Sequence, residues 1–118
     1  MSIDPSVLTP YRDLMGDEAD SFVADLIDSY LVNSVELVNA LDSTLAGGDA
    51  PAFSRAAHTL KSNSAIFGAQ ILAGICQELE LAGKDNQLNG LDGRLGQLKS
   101  EYETVCGELA DLRRSLPV

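Results

Sequence analysis

The stretch LDGRLGQLKSEYETVCGELADLRRSL, residues 91–116, carries Leu91, Leu95, Leu98, Tyr102, Val105, Leu109, Leu112 and Leu116 at alternating steps of four and three. Side chains at these steps share one face of an α-helix, and so long an apolar stripe is the seam of a helix bundle. Proline occurs only at positions 5, 10, 51 and 117, which leaves 52–116 free of the residue that most strongly breaks helices. Upstream, Ile71, Leu72, Ile75, Leu79 and Ala82 predict a helix that stops at Gly83 and the polar turn Lys84-Asp85-Asn86. Asp49, with Pro51 in the first turn, predicts the start of a helix that buries Phe53, Ala57, Leu60 and Ser64, runs up to Phe67 and stops at Gly68. Asp17 and Asp20 predict an acid-capped helix with the stripe Phe22, Val23, Leu26, Ile27, Tyr30, Leu31, Val35, Val38, Leu41 and Leu45, ended by Gly47-Gly48. Asp4-Pro5 opens a short first helix to about Met15, with Gly16 as its stop. No segment alternates with period two for long enough to make a strand. The predicted fold is all-α, an antiparallel four-helix bundle with a short additional N-terminal helix, in one domain over residues 1–118.

Composition agrees with this. A chain of 118 residues builds one core, and with 45% hydrophobic but only 5% aromatic residues and no Trp, Leu, Ala, Ile and Val must fill it. Eight Lys and Arg against 18 Asp and Glu give a net charge of −10, which repels nucleic-acid phosphates and anionic membranes alike. The longest stretch without a polar side chain, Ile71 to Cys76, falls far short of the ~20 residues that span a bilayer. Asp4 stands where a secretory leader would carry basic residues, so the expected compartment is the cytoplasm. A bundle with a polar surface needs no second subunit, and a monomer is expected. Cys76 and Cys106 are too few for a disulfide scaffold. About a hairpin turning near Leu88 they are offset by ~9 Å along the axis, beyond the ~7 Å a disulfide tolerates between Cα atoms, so both are expected as free thiols.

The single histidine lies in the middle of the third bundle helix. At ~100° per residue, His58 points roughly 140° away from the stripe of Phe53, Ala57, Leu60 and Ser64 and so faces outward. Arg55 and Lys61 sit three residues before and after it, and no Asp or Glu occurs between Asp49 and Glu78. In so acidic a chain, this is a local positive island suited to a dianionic group. Ser54, Ser62 and Ala65, at −4, +4 and +7 from His58, are short and leave the imidazole open to a partner. One His with no Cys or acidic companions at ligand spacing makes no metal site, and Gly-rich phosphate loops and kinase signatures are absent, so no ATP site is encoded. The chemistry left to an exposed, cation-flanked imidazole is nucleophilic: it takes a phosphoryl group and gives it up again.

The stretch Ala57-His58-Thr59-Leu60-Lys61-Ser62-Asn63-Ser64-Ala65-Ile66-Phe67-Gly68-Ala69 resembles the signature of histidine-containing phosphotransfer (HPt) domains, approximately H-x-L-K-G-x-x-x-x-x-G. The resemblance extends over roughly residues 15–113, from Gly16-Asp17 to the Leu-rich last helix. It implies a four-helix bundle that carries phosphate between a sensor or hybrid histidine kinase, or a receiver aspartate, and the receiver domain of a response regulator. By position it implies that His58 is the phosphoacceptor, that Lys61 neutralises charge on the phosphoryl oxygens, and that Gly68 ends the helix. The family often places a polar residue at +22 from the histidine, here Glu80, hydrogen-bonded to the ring. About a hairpin centred at Gly68 the levels of His58 and Glu80 differ by only ~3 Å. A carboxylate there fixes the tautomer and leaves the other ring nitrogen free to attack. Ser62 departs from the usual Gly and bears on the choice of partner. The expected docking face comprises Ser54, Arg55, Ser62, Ala65 and Gly68, with Ile66, Phe67, Leu8 and Tyr11 as its apolar candidates. No cofactor of its own is expected, with Mg²⁺ supplied by the receiver domain. The rival reading is a module of the same fold that docks on a receiver or kinase to inhibit or scaffold it without accepting phosphate.

Overall fold

Helix boundaries follow from the caps. Asp49 accepts a hydrogen bond from the Ala52 amide and Pro51 sits in the first turn, which starts one helix, while Gly48, in a left-handed conformation (φ 69°), ends the one before it. The computed structural model describes all of residues 1–118 and contains five α-helices. A 3-10 turn, Pro5–Leu8, capped by Asp4, leads into α1 (Thr9–Met15), and a second 3-10 turn, Gly16–Glu18, leads into α2 (Ala19–Gly47). Then come α3 (Ala50–Ala65), α4 (Gln70–Lys84) and α5 (Asp92–Ser115). Helices α2 to α5 form the antiparallel four-helix bundle, with each packed on its neighbour in sequence and α5 closing back on α2. The all-α bundle with a short N-terminal helix is therefore the observed architecture.

The core is aliphatic, as the composition requires. Val23, Ile27, Leu41, Leu60, Leu72, Leu79, Leu98, Val105 and Leu109 are fully buried, and Phe53 and Phe67 are the only phenylalanines among them. Two pairs of hydroxyl groups bond to each other inside the bundle: Tyr30 Oη with Ser64 Oγ at 2.9 Å, and Ser34 Oγ with Tyr102 Oη at 2.7 Å. Cys76 and Cys106 are free, and burial pushes the Cys76 thiol up to about 12, so it packs as a small apolar residue.

Four local expectations need correction. Asp17 does not cap α2: it lies in the 3-10 turn, and Glu18 occupies the cap position without a side-chain hydrogen bond. Val35 and Ile71, placed on apolar stripes by spacing alone, are 48% and 63% exposed because each sits at the margin of its stripe. Gly83 does not stop α4, which continues to Lys84; instead it is buried against α3. A Cβ on Gly83 would stand 2.9 Å from Ser54 Cβ and 3.0 Å from the Ala50 carbonyl oxygen, so the missing side chain is what lets α3 and α4 approach so closely.

The N-terminal segment is built into the fold. The Asp4 amide donates to the Phe67 carbonyl at 2.9 Å, and the amides of Ser2 and Ile3 donate to the Glu108 carboxylate at 3.0 and 2.9 Å. Asp4 rests on Gly68, where an added Cβ would meet Asp4 Cβ at 2.7 Å, and Gly68 itself adopts φ 68°. Gly68 is thus needed twice, for its backbone and for the space above it. Gly48 has φ 69° but open surroundings. We expect Gly48→Ala to cost about 1 kcal/mol of unfolding free energy, from backbone strain alone. Gly68→Ala should cost about 2 kcal/mol more, because it also displaces the N-terminal segment. Denaturant midpoints of the two variants check the difference, and equal losses would show that the Asp4 contact contributes nothing.

Candidate functional site

His58 stands on the outer face of α3, its side chain 58% exposed, at the level set by the close α3–α4 approach. Ser54 lies one turn before it and points inward, where its hydroxyl donates to the Glu80 backbone carbonyl at 3.0 Å. That bond and the Gly83 contact fix the register of the two helices, and the register puts Glu80 under the imidazole. His58 Nδ1 lies 2.9 Å from Glu80 Oε2.

Glu80 is the buried charge of the molecule, its side chain 4% exposed. Both oxygens are partnered. Lys61 Nζ donates to Oε1 at 2.7 Å and also to Gln77 Oε1 at 2.6 Å, and Lys84 Nζ reaches Oε2 at 3.1 Å. The Lys61 hydrogen bond holds the Glu80 carboxyl down at about 2, reinforced by Lys84 and His58 against the opposing effect of burial. An ionised carboxylate only accepts hydrogen bonds, so His58 Nδ1 is the donor. In a neutral ring this leaves Nε2 unprotonated, with its lone pair available.

His58, Lys61 and Glu80, the three residues singled out in the sequence, lie together in the structure. It does not bring the whole expected docking set to the surface. Ser54 is buried and bonded to Glu80, and Gly68 is covered by Asp4, so neither is open to a partner. Phe67 and Leu8 are core residues, 2% and 1% exposed, because the N-terminal segment folds onto the α3–α4 turn. Arg55, Ser62, Ala65, Ile66 and Tyr11 are exposed, as expected. Lys84 and Gln77 were missed. The signal for Lys84 was the spacing of four from Glu80, which places a Glu and a following Lys side by side on one helix face.

The distribution of paired charges is also specific. Arg12 pairs with Asp20, Lys61 and Lys84 with Glu80, Arg94 with Glu78, Lys99 with Asp42, Arg113 with Asp28 and Arg114 with Asp111. Of the eight Lys and Arg residues, that leaves Arg55 as the one without an ion pair. No group of three or more His, Cys, Asp or Glu side chains is arranged to hold a metal ion, and no helix is long and apolar enough to cross a membrane.

Comparison with known proteins bears on this geometry. No curated protein sequence matches the chain. Among solved structures, the chain is similar to the crystal structure of histidine-containing phosphotransfer protein B (HptB) from Pseudomonas aeruginosa PAO1. The TM-score is 0.83 at 30% sequence identity, over 96% of this chain and 95% of that chain. The family described as Hpt domain matches residues 25–108, which takes in most of α2, all of α3 and α4, and most of α5, with His58, Lys61 and Glu80 inside it. With its bundle, its exposed histidine and this match together, the chain belongs to the Hpt domain family, the histidine phosphotransfer domains of two-component signalling.

Proposed function

We propose that the chain is a phosphorelay carrier that accepts a phosphoryl group on Nε2 of His58 and passes it to the receiver domain of a response regulator. The observation that carries this reading is the half-exposed imidazole whose Nδ1 is committed to a buried, ionised Glu80 at 2.9 Å. In the loading step the Nε2 lone pair attacks the phosphorus of a receiver's aspartyl phosphate. An N–P bond forms, the P–O bond to the aspartyl oxygen breaks, and the electron pair leaves with the carboxylate. The proton stays on Nδ1, hydrogen-bonded to the ionised Glu80, throughout, so the ring that becomes cationic on phosphorylation already faces a negative charge. Unloading to a second receiver runs the same exchange in reverse. Where a kinase phosphohistidine is the donor, the P–N bond to its ring breaks instead and the electron pair stays on that ring nitrogen.

Lys61 neutralises charge at the phosphoryl oxygens while its ammonium also steadies Glu80. Such transfer depends mainly on position and charge neutralisation, so a nearly bare imidazole on a rigid helix suffices on this side. The receiver brings the aspartate and the Mg²⁺, and this chain acts as carrier without an ATP site or turnover of its own. Thr59, Ser62 and Ala65 are short and exposed around His58, and together with Ile66 they make the face on which a receiver docks.

Incubation with a phosphorylated receiver domain should place acid-labile, base-stable label on the wild-type chain and none on His58→Gln. Label that persists in His58→Gln would overturn the reading. A second expectation concerns pH. In the unfolded chain Glu80 takes up a proton near its ordinary value of 4.5, whereas the folded chain resists it until about 2. Protonation in this window therefore favours the unfolded state, and the stabilisation by Glu80 is complete above 4.5 and lost as pH falls toward 2. Unfolding midpoints of wild type and Glu80→Gln, measured at neutral pH and across that window, should show a steeper acid loss in the wild type. Parallel curves would show that the carboxylate is not held ionised by the fold.

A further inference from the structure

Beside His58 lies an open cleft of about 450 Å³ lined by Ser54, Arg55, His58, Thr59, Glu80 and Lys84. Lys61 is not part of its lining. The charges around the ring are largely spent on one another. Lys61 and Lys84 both rest on Glu80, so their two positive charges are offset by one negative charge before any phosphoryl group arrives. A phosphoryl group brings close to two negative charges at neutral pH. The phosphorylated ring adds one positive charge, so these groups together come close to neutral, and an unpaired cation lining the cleft would add a direct donor to the phosphoryl oxygens.

Arg55 is exposed, one helical turn from His58, and the one basic side chain of the chain that no internal carboxylate engages. Between Asp49 and Glu78 there is no acidic residue for it to pair with along the sequence. We propose that the Arg55 guanidinium binds the phosphoryl oxygens on phosphorylated His58 from the cleft side and thereby speeds loading of the ring and slows loss of the group to water. This rests on the reading of His58 as phosphoacceptor. A planar guanidinium offers paired N–H donors that match two phosphoryl oxygens. Because it has no partner in the free chain, no ion pair must break for it to turn to the phosphoryl group.

The test uses the full chain and phosphoramidate, a small donor that needs no partner domain. Its P–N bond breaks as the Nε2–P bond forms, and ammonia leaves. Loading is followed by the mass gain of one phosphoryl group, and the lifetime of the product by ³¹P NMR after the donor is removed. Arg55→Gln should load about three- to tenfold more slowly and lose its phosphoryl group faster by a similar factor, the range expected for one charge-assisted contact at a solvent-exposed site. Arg55→Lys should recover part of both losses, and unfolding midpoints should be unchanged in both variants. Loading and lifetime equal to wild type in Arg55→Gln would overturn the proposal. If transfer from a phosphorylated receiver were then the only step impaired, Arg55 would be a contact for the receiver's carboxylates instead. A wild-type chain that takes no phosphoryl group from either phosphoramidate or a receiver would remove the phosphoacceptor reading itself, and this inference with it.

Discussion

A buried carboxylate is tolerated only when its charge is met, and the organisation of this molecule around Glu80 shows how much of the local fold that demand controls. Two ammonium groups and one imidazole N–H surround it. Those three donors come from α3 and α4, so satisfying one charge also fixes the relative position of the two helices. Losing a single donor leaves the others to carry an under-compensated charge, while losing the carboxylate leaves two lysines facing each other. The acceptor histidine is held by the same arrangement, which makes chemistry and packing at this corner inseparable.

The precision of that corner comes from small residues. Gly83 removes the atom that would hold α4 away from Ser54, and Ser54 uses its hydroxyl to tie the Glu80 backbone to α3. The carboxylate is therefore positioned from both ends, by its backbone through Ser54 and by its oxygens through the lysines. The aliphatic core beneath is rigid support with no reactive part: its cysteine thiol is kept protonated by burial, and its hydroxyl groups are bonded to one another.

Much of this was legible in the sequence. The seam from Leu91 to Leu116 and the proline-free interval gave helices, and the empty acidic background between Asp49 and Glu78 drew attention to His58. Counting residues about Gly68 matched His58 with Glu80 because a tight hairpin between straight helices preserves axial level. What spacing did not reveal were contacts made by atoms that are missing or by segments far apart in the chain. Gly83 has the local signature of a stop, and only the neighbouring helix shows that it is a contact point. Ser54 and Phe67 belong to surfaces that depend on where α4 and the N-terminal segment lie. Lys84 was passed over as part of a polar turn, since propensity assigns a residue to an element and says nothing of what its side chain reaches.

The bonds from the Ser2 and Ile3 amides to Glu108 join residues 106 and 105 positions apart. On a ribosome, the opening segment emerges long before its partner on α5 exists. Ile3, which finishes in the core beside that bond, waits in water, or on a chaperone, until Glu108 has been made. The helical hairpin of α3 and α4 rests on near-neighbour contacts and has no such delay, so the phosphoacceptor corner is free to take shape earlier in synthesis than the bonds of Ser2 and Ile3 to α5.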